Sequence, residues 1–230
     1  MTMIADNLQR VRARMEQACR ACGRDPASVT LLAVSKTFGA DAVRQAHAAG
    51  QTDFGENYIQ EAVDKMVAVA DLPLTWHCIG PIQGNKTRLV AGHFDWAHTV
   101  DRLKIAERLS VQRPAQRAPL QVCLQVNIDG GPNKSGVAPG QALALAREVA
   151  QLPGLTLRGL MTIPEPAPDF ATALAVHRQA RALFDDLCDA GLALDTLSMG
   201  MTADLEAAIQ AGSTMVRVGT AIFGGRAYLA

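Results

Sequence analysis

No apolar run in the 230 residues approaches the roughly 20 needed to span a bilayer as a helix, so no membrane partner is expected. Neither sign of charge dominates. The 22 Lys and Arg balance 22 Asp and Glu, which leaves no global electrostatic case for nucleic acid or for an anionic membrane surface. The N-terminus lacks an uninterrupted apolar core, because Asp6, Arg10, Arg12, Arg14 and Glu16 break it. It does not read as a secretory signal, and a cytoplasmic location is the expectation. Cysteine is scarce and odd in number: Cys19, Cys22, Cys78, Cys123 and Cys188 form no disulfide framework. Cys19 and Cys22 make a lone CxxC, read as two small residues one turn apart on a helix, since zinc would need two further ligands close by. The histidines lack HxH or HExxH spacing, and no metal site is expected. A GxGxxG is missing after the first apolar run, which weakens a dinucleotide reading.

What is present is an alternation. Hydrophobic residues make up 49% of the chain, enough to exclude disorder. Ile4, Leu8, Val11, Met15 and Ala18 recur at helical spacing and predict an opening amphipathic helix that stops near Gly23. Short apolar runs bounded by turn residues then predict strands at 30–35, 53–55, 76–79, 96–100, 120–128, 157–163, from 197, and 215–218. Helices are predicted between them at 41–49, 83–91, 101–110, 141–151, 170–190 and 203–211. One more follows strand two, with Ile59, Ala62, Val63, Met66, Val67 and Ala70 on its apolar face. Eight strands alternating with helices imply an α/β fold, a single (β/α)8 TIM-type barrel with an extra N-terminal helix, as one domain over 1–230. An open doubly wound sheet is the alternative.

In such barrels the chemistry sits at the C-terminal ends of the strands. That rule selects Lys36, Glu56, Asn57, His77, Asp101, Asn127, Lys134, Met161, Thr162, the stretch 198–201 and the stretch 217–220. The other four histidines are assigned to helices or loops. The chain has five lysines. Lys65 and Lys104 fall on helices and are read as solvated. Lys36 ends an apolar strand, where partial burial favours the neutral amine that attacks an aldehyde; a lysine paired with a carboxylate at the barrel rim is the competing reading. Ser198, Gly200 and the helix start after strand seven, with Gly219 and Thr220 after strand eight, stand where barrels commonly bind phosphate. Helix starts present unpaired N–H groups, glycines allow close approach, and the hydroxyls donate. A phosphate cup facing an amine suits pyridoxal 5′-phosphate (PLP). It also suits a sugar phosphate bound through a Schiff-base lysine.

Several motifs then combine in order: AVSKT at 33–37, FGENYIQE at 54–61, WHCIGPIQGNK at 76–86, NKSG at 133–136, RGLMTIP at 158–164, LSMGM at 197–201 and EAAIQAGSTMVRVGTAIFG at 206–224. With them, nearly the whole chain resembles the PLP homeostasis proteins of the YggS/PROSC type, small relatives of the alanine racemase barrel. The resemblance implies that Lys36 holds PLP as an internal aldimine. It implies a phosphate cup from Ser198, Gly200, Gly219 and Thr220, with Arg217 facing the pyridine nitrogen and Asn57 and His77 lining the cofactor. Family members often carry a second lysine just after the PLP lysine; here Thr37 and Phe38 follow, and Lys134 is the candidate second amine.

A racemase needs acid–base groups on both faces of the cofactor. Lys36 serves one face, but the only tyrosines are Tyr58 and Tyr228, and neither is assignable to the other. An arginine stays protonated, so Arg217 at the ring nitrogen leaves the ring a poor electron sink. The expected function is therefore PLP homeostasis without robust turnover: a monomeric carrier that buffers PLP or delivers it to PLP-dependent apo-enzymes. A PLP-dependent amino-acid racemase is the alternative.

Overall fold

In the computed structural model, which describes residues 2–131 and 134–225, eight parallel strands hydrogen-bond in chain order and close on themselves. They are β1 (Thr30–Val34), β2 (Asp53–Glu56), β3 (Thr75–Cys78), β4 (Trp96–Val100), β5 (Leu120–Val126), β6 (Leu155–Thr162), β7 (Thr196–Ser198) and β8 (Met215–Val218). The closing pair matches Thr30 to Met215 and Ala33 to Val218. Asn133 of the NKSG motif and Tyr228 lie outside the described residues.

Helices return the chain between strands: α1 (Met3–Ala21) before β1, then α2 (Ala40–Ala48), α3 (Ile59–Ala68), α4 (Thr87–His93), α5 (Leu103–Gln112), α6 (Ala142–Val149), α7 (Phe170–Asp189) and α8 (Leu205–Gln210). A last short turn, α9 (Thr220–Phe223), follows β8. Because each strand is covered on both faces, its residues alternate between two environments. Outward residues such as Leu31, Ala33, Phe54, Trp76 and Val216 join the apolar layer beneath the helices. Inward, a small separate cluster of Leu32, Val34, Ile79 and Met215 fills one side of the barrel. Much of the remaining interior is polar, with His77, His98, Ser198 and Arg217 all buried.

The predicted barrel is the one observed, with two informative departures. The helix expected at 83–91 begins at Thr87, because residues 83–86 form a turn closed by the Lys86 N–H on the Gln83 carbonyl (2.9 Å). The face of α3 is also rotated from its expected stripe. Val67 is 72% exposed, whereas Ile59, Ala62 and Lys65 are buried. The reading of Lys65 as a solvated lysine is thus corrected. Its side chain is 4% exposed, because Glu56 at the end of β2 offers a buried carboxylate 2.5 Å from Nζ. An apolar-periodicity reading cannot see such a pair.

The extra helix α1 buries Ile4, Leu8, Val11 and Met15 and packs against α2, α8 and α9. Its polar residues reach the barrel mouth. Asn7 Nδ2 donates to the Ile222 carbonyl (2.8 Å), and Arg14 donates to the Thr202 carbonyl (3.1 Å) while pairing with Glu206. The loops after β7 and β8 are therefore tied to the start of the chain.

Candidate functional site

β1 ends in a strained turn. Thr37 has φ 68°, a left-handed conformation unusual for a β-branched residue. Its N–H donates to Glu61 Oε1 (3.0 Å), and the Phe38 N–H closes on the Ser35 carbonyl (3.1 Å). Lys65 Nζ reinforces the same turn by donating to the Ser35 carbonyl (2.9 Å) as well as to Glu56 and Glu61. Ser35 Oγ donates to Glu56 Oε1 (2.6 Å). Burial pushes the Glu56 carboxyl pKa up, against the attraction of Lys65. The ring of Phe38 stacks on Phe223 of α9 at 5.1 Å. These contacts fix the backbone on either side of Lys36, the residue that enters the barrel mouth.

Lys36 lines a cavity of about 320 Å³ at the C-terminal end of the barrel. Across it, Met201, Thr202 and Ala203 come from the loop after β7, and Gly219, Thr220 and Gly224 from the segment after β8. Gly200 lies buried behind this wall at φ 93°, where an added Cβ would stand 2.4 Å from the Ala208 Cβ. At Gly219 an added Cβ would stand 3.1 Å from the Val34 carbonyl oxygen, a tight contact with β1. The loop after β7 is braced by Asp204, which accepts from the Met201 N–H (2.6 Å) and pairs with buried His177 (2.9 Å). Burial opposes ionisation of Asp204, but the bonds from His177 and the Met201 N–H outweigh it and hold the carboxyl below its ordinary pKa.

Arg217 lines the same cavity although it is only 4% exposed. One guanidinium nitrogen donates to Ser198 Oγ and another to the Thr162 carbonyl, both at 2.8 Å. Burial lowers its pKa to about 10, so it is still cationic near neutrality. Among the described residues it makes no ion pair. Asn57 lines the wall next to Ile79, and its Oδ1 is buried without a hydrogen-bond partner.

Of the residues expected at the site, the structure brings Lys36, Asn57, Arg217, Gly219 and Thr220 into one wall. Gly200 shapes that wall from behind. Ser198 and His77 do not line it. Both are fully buried, and they connect to it through Arg217: Ser198 Oγ meets His98 Nδ1 (3.0 Å), His98 Nε2 meets His77 Nδ1 (3.0 Å), and His77 Nε2 meets Asp53 Oδ1 (3.2 Å). The assignment of His98 to a helix or loop is corrected: it lies within β4, inside the barrel. The strand expected at 96–100 already contained it, whereas His77 had been selected for its place at a strand end. Phe38, Ile79 and Ile163 were not anticipated as lining residues, since as apolar rim residues they carry no chemical signature.

Lys134 lies in an adjoining hollow of about 260 Å³, which shares Asn57, Ile79 and Ile163 with the main cavity. Its Nζ is engaged by Asp129 Oδ2 (3.0 Å), the Ile163 carbonyl (2.9 Å) and Glu165 (3.3 Å). Asp101 pairs with Arg102 and lines neither hollow.

A lysine, the loop ends after β7 and β8 and a buried arginine share one hollow, and the comparisons with known proteins point to one family. The family model for the N-terminal domain of alanine racemase matches residues 4–227. A pyridoxal phosphate homeostasis protein of Pseudomonas aeruginosa is 61% identical over 99% of this chain and 98% of its own length. That of Escherichia coli is 53% identical over 99% of both. The chain belongs to the pyridoxal phosphate homeostasis protein family. Among solved structures, PipY of Synechococcus elongatus with PLP bound superposes with a TM-score of 0.84 at 40% identity, covering 96% of this chain and all of PipY. Family membership accounts for the motif order along the chain, and the fold is shared with PipY over 96% of it.

Proposed function

We propose that this chain binds PLP at the mouth of its barrel and acts in PLP homeostasis, holding the cofactor as a Schiff base on Lys36 and buffering it or handing it to PLP-dependent apo-enzymes. The observation that carries this reading is that Lys36, the walls built by the loops after β7 and β8, and Arg217 all face one cavity. A volume of about 320 Å³ lies at the small end of the range for small-molecule sites, which fits a single compact ligand. The buried, unpartnered Asn57 Oδ1 fits a ligand that brings a hydrogen-bond donor. PLP, when bound, supplies an aldehyde that an amine captures reversibly with loss of water.

Each residue then has a task. Lys36 supplies the amine. Gly219, Thr220 and the segment 201–203 receive the phosphate. Arg217 faces the ring nitrogen as a donor that keeps its own proton, since its pKa of about 10 stays well above neutrality. A ring nitrogen left unprotonated gives a weak electron sink, which favours carrying over turnover of amino acids. The Pseudomonas aeruginosa and Escherichia coli relatives bear the name of homeostasis proteins, which supports the same choice. We place the protein in the cytoplasm, acting as a monomer; light scattering of the purified chain tests the latter.

The decisive test is visible absorbance followed by borohydride reduction and peptide mapping. The expected result is a coloured protein whose reduced phosphopyridoxyl group maps to Lys36, with colour and label lost in Lys36→Ala. A protein that stays colourless and unlabelled with added PLP overturns the reading. Sustained racemisation of a free amino acid, abolished by Lys36→Ala, would replace the carrier with an enzyme.

A further inference from the structure

The interior of this barrel contains a continuous polar thread that the binding of a cofactor at its mouth does not by itself explain. It starts at Asp53, the first residue of β2, at the end of the barrel away from Lys36. There the carboxylate is 26% exposed and borders a hollow of about 290 Å³ together with Arg12 and Gln51. It ends at Arg217 in the cavity wall. Between them lie His77, His98 and Ser198, all fully buried. Buried polar groups are costly unless each donor meets an acceptor, so the proton positions along such a thread are constrained by its ends.

The ends fix them in one direction. Asp53 also accepts from Thr52 Oγ1 (2.8 Å), and its carboxyl pKa is lowered: burial acts against this, but the His77 and Thr52 hydrogen bonds prevail. A carboxylate only accepts, so His77 must carry its proton on Nε2. Burial lowers the pKa of His77, and lowers that of His98 well below 6.5, with Arg217 and His77 adding repulsion at His98. A neutral His77 with Nε2–H presents Nδ1 as an acceptor, so His98 must donate from Nε2. His98 Nδ1 is then an acceptor as well, and Ser198 must donate its hydroxyl to it. That leaves the Ser198 oxygen to accept from Arg217 NH1. Every bond in the thread points from the guanidinium to the carboxylate.

We propose that Asp53 is a positioning residue for Arg217: through His77, His98 and Ser198 it sets a single donor direction along the barrel axis, which polarises Ser198 Oγ as the acceptor that holds the Arg217 guanidinium in the cavity wall. The direction of the thread is a property of the protein alone. Its effect on the cofactor rests on the reading above, in which Arg217 faces the PLP ring.

The first test needs no cofactor. Nitrogen-15 NMR of the histidine rings in the unliganded full chain is expected to show the Nε2–H tautomer at both His77 and His98. A Nδ1–H tautomer at either ring in the wild-type protein overturns the proposal. In Asp53→Asn the amide can donate as well as accept, so both directions become available and the Nδ1–H tautomer gains population at both rings; unchanged tautomers there also overturn it. The second test uses the PLP-loaded protein. Asp53→Asn is expected to keep its borohydride label on Lys36 while its bound-PLP absorption band shifts from the wild-type position. Retained position of that band, with altered tautomers, removes the link to the cofactor and defeats the positioning role. Ser198→Ala serves where Asp53→Asn folds poorly. It cuts the thread beside Arg217, and is expected to shift the band while leaving both rings Nε2–H; an unmoved band again counts against the proposal. If wild-type protein never colours with PLP, the proposed function fails, and the tautomers still decide the thread.

Discussion

Gly200 shows how one residue can be required twice. Its φ of 93° disfavours any side chain, and a Cβ would collide with Ala208 at 2.4 Å. Backbone strain of this kind costs about 1–3 kcal/mol before the clash is counted. Gly200→Ala is therefore expected to lower the urea midpoint and to weaken PLP retention measured by dialysis; retention at wild-type level would show that the wall does not depend on this glycine. Lys65 makes the opposite case, a residue whose role is invisible to pattern. Removing one partner of a buried ion pair costs about 3–5 kcal/mol, because the other charge is left uncompensated. Lys65→Met should thus be strongly destabilised in chemical denaturation, and Lys65→Met with Glu56→Leu should recover much of the loss. Equal losses in the single and double variants would mean that packing, not charge, sets the requirement.

Helix α1 is the element whose importance exceeds its place outside the repeating strand–helix units. Arg14 and Asn7 hold the carbonyls of Thr202 and Ile222. The Arg14–Glu206 pair is more than a third exposed on both sides, so it contributes about 1 kcal/mol at most to stability. Arg14→Ala is accordingly expected to leave the thermal midpoint almost unchanged while measurably weakening PLP binding in titration; a binding curve that overlays the wild type would deny α1 a part in the site. At this scale the sequence was highly legible. The periodic stripe of α1 matches its buried residues Ile4, Leu8, Val11 and Met15, and the strand runs lie where the barrel strands lie, because burial imposes a period that a reader can count. The loop ends that line the cavity with Gly219 and Thr220 were legible too, since glycines and hydroxyls at strand ends carry a backbone reason. The rotated face of α3, the interior place of His98 and the apolar rim of Phe38, Ile79 and Ile163 were not, because each depends on a partner distant in the chain.

For the molecule as a whole, the polar interior predicts sensitivity to acid. His77 and His98 are buried with pKa values lowered from 6.5, so their unprotonated forms are favoured by folding. A depressed folded pKa gives stability that is present above the unfolded value and lost as pH falls. Asp53 and Asp204, lowered from 3.8, add the same sign further down the scale. Glu56, with its raised pKa, has the opposite sign: it favours folding below its ordinary 4.5 and costs stability as pH rises. The histidines and the lowered aspartates outnumber it, so the urea midpoint is expected to decline progressively below about pH 6.5 and to fall steeply near pH 4. A midpoint constant from pH 7 to 4 would mean that the two rings titrate without linkage to folding.

The closure of the barrel by β1 against β8 also has a consequence in time. Lys36 is translated long before Gly219 and Thr220, and α1 must wait for the segments that carry Thr202 and Ile222 before it can hold them. A nascent chain lacking β8 has Lys36 but not the wall that Gly219 and Thr220 build opposite it. The cavity is thereby completed only once β8 has been made, and a half-made protein on the ribosome does not yet offer a ligand a finished site.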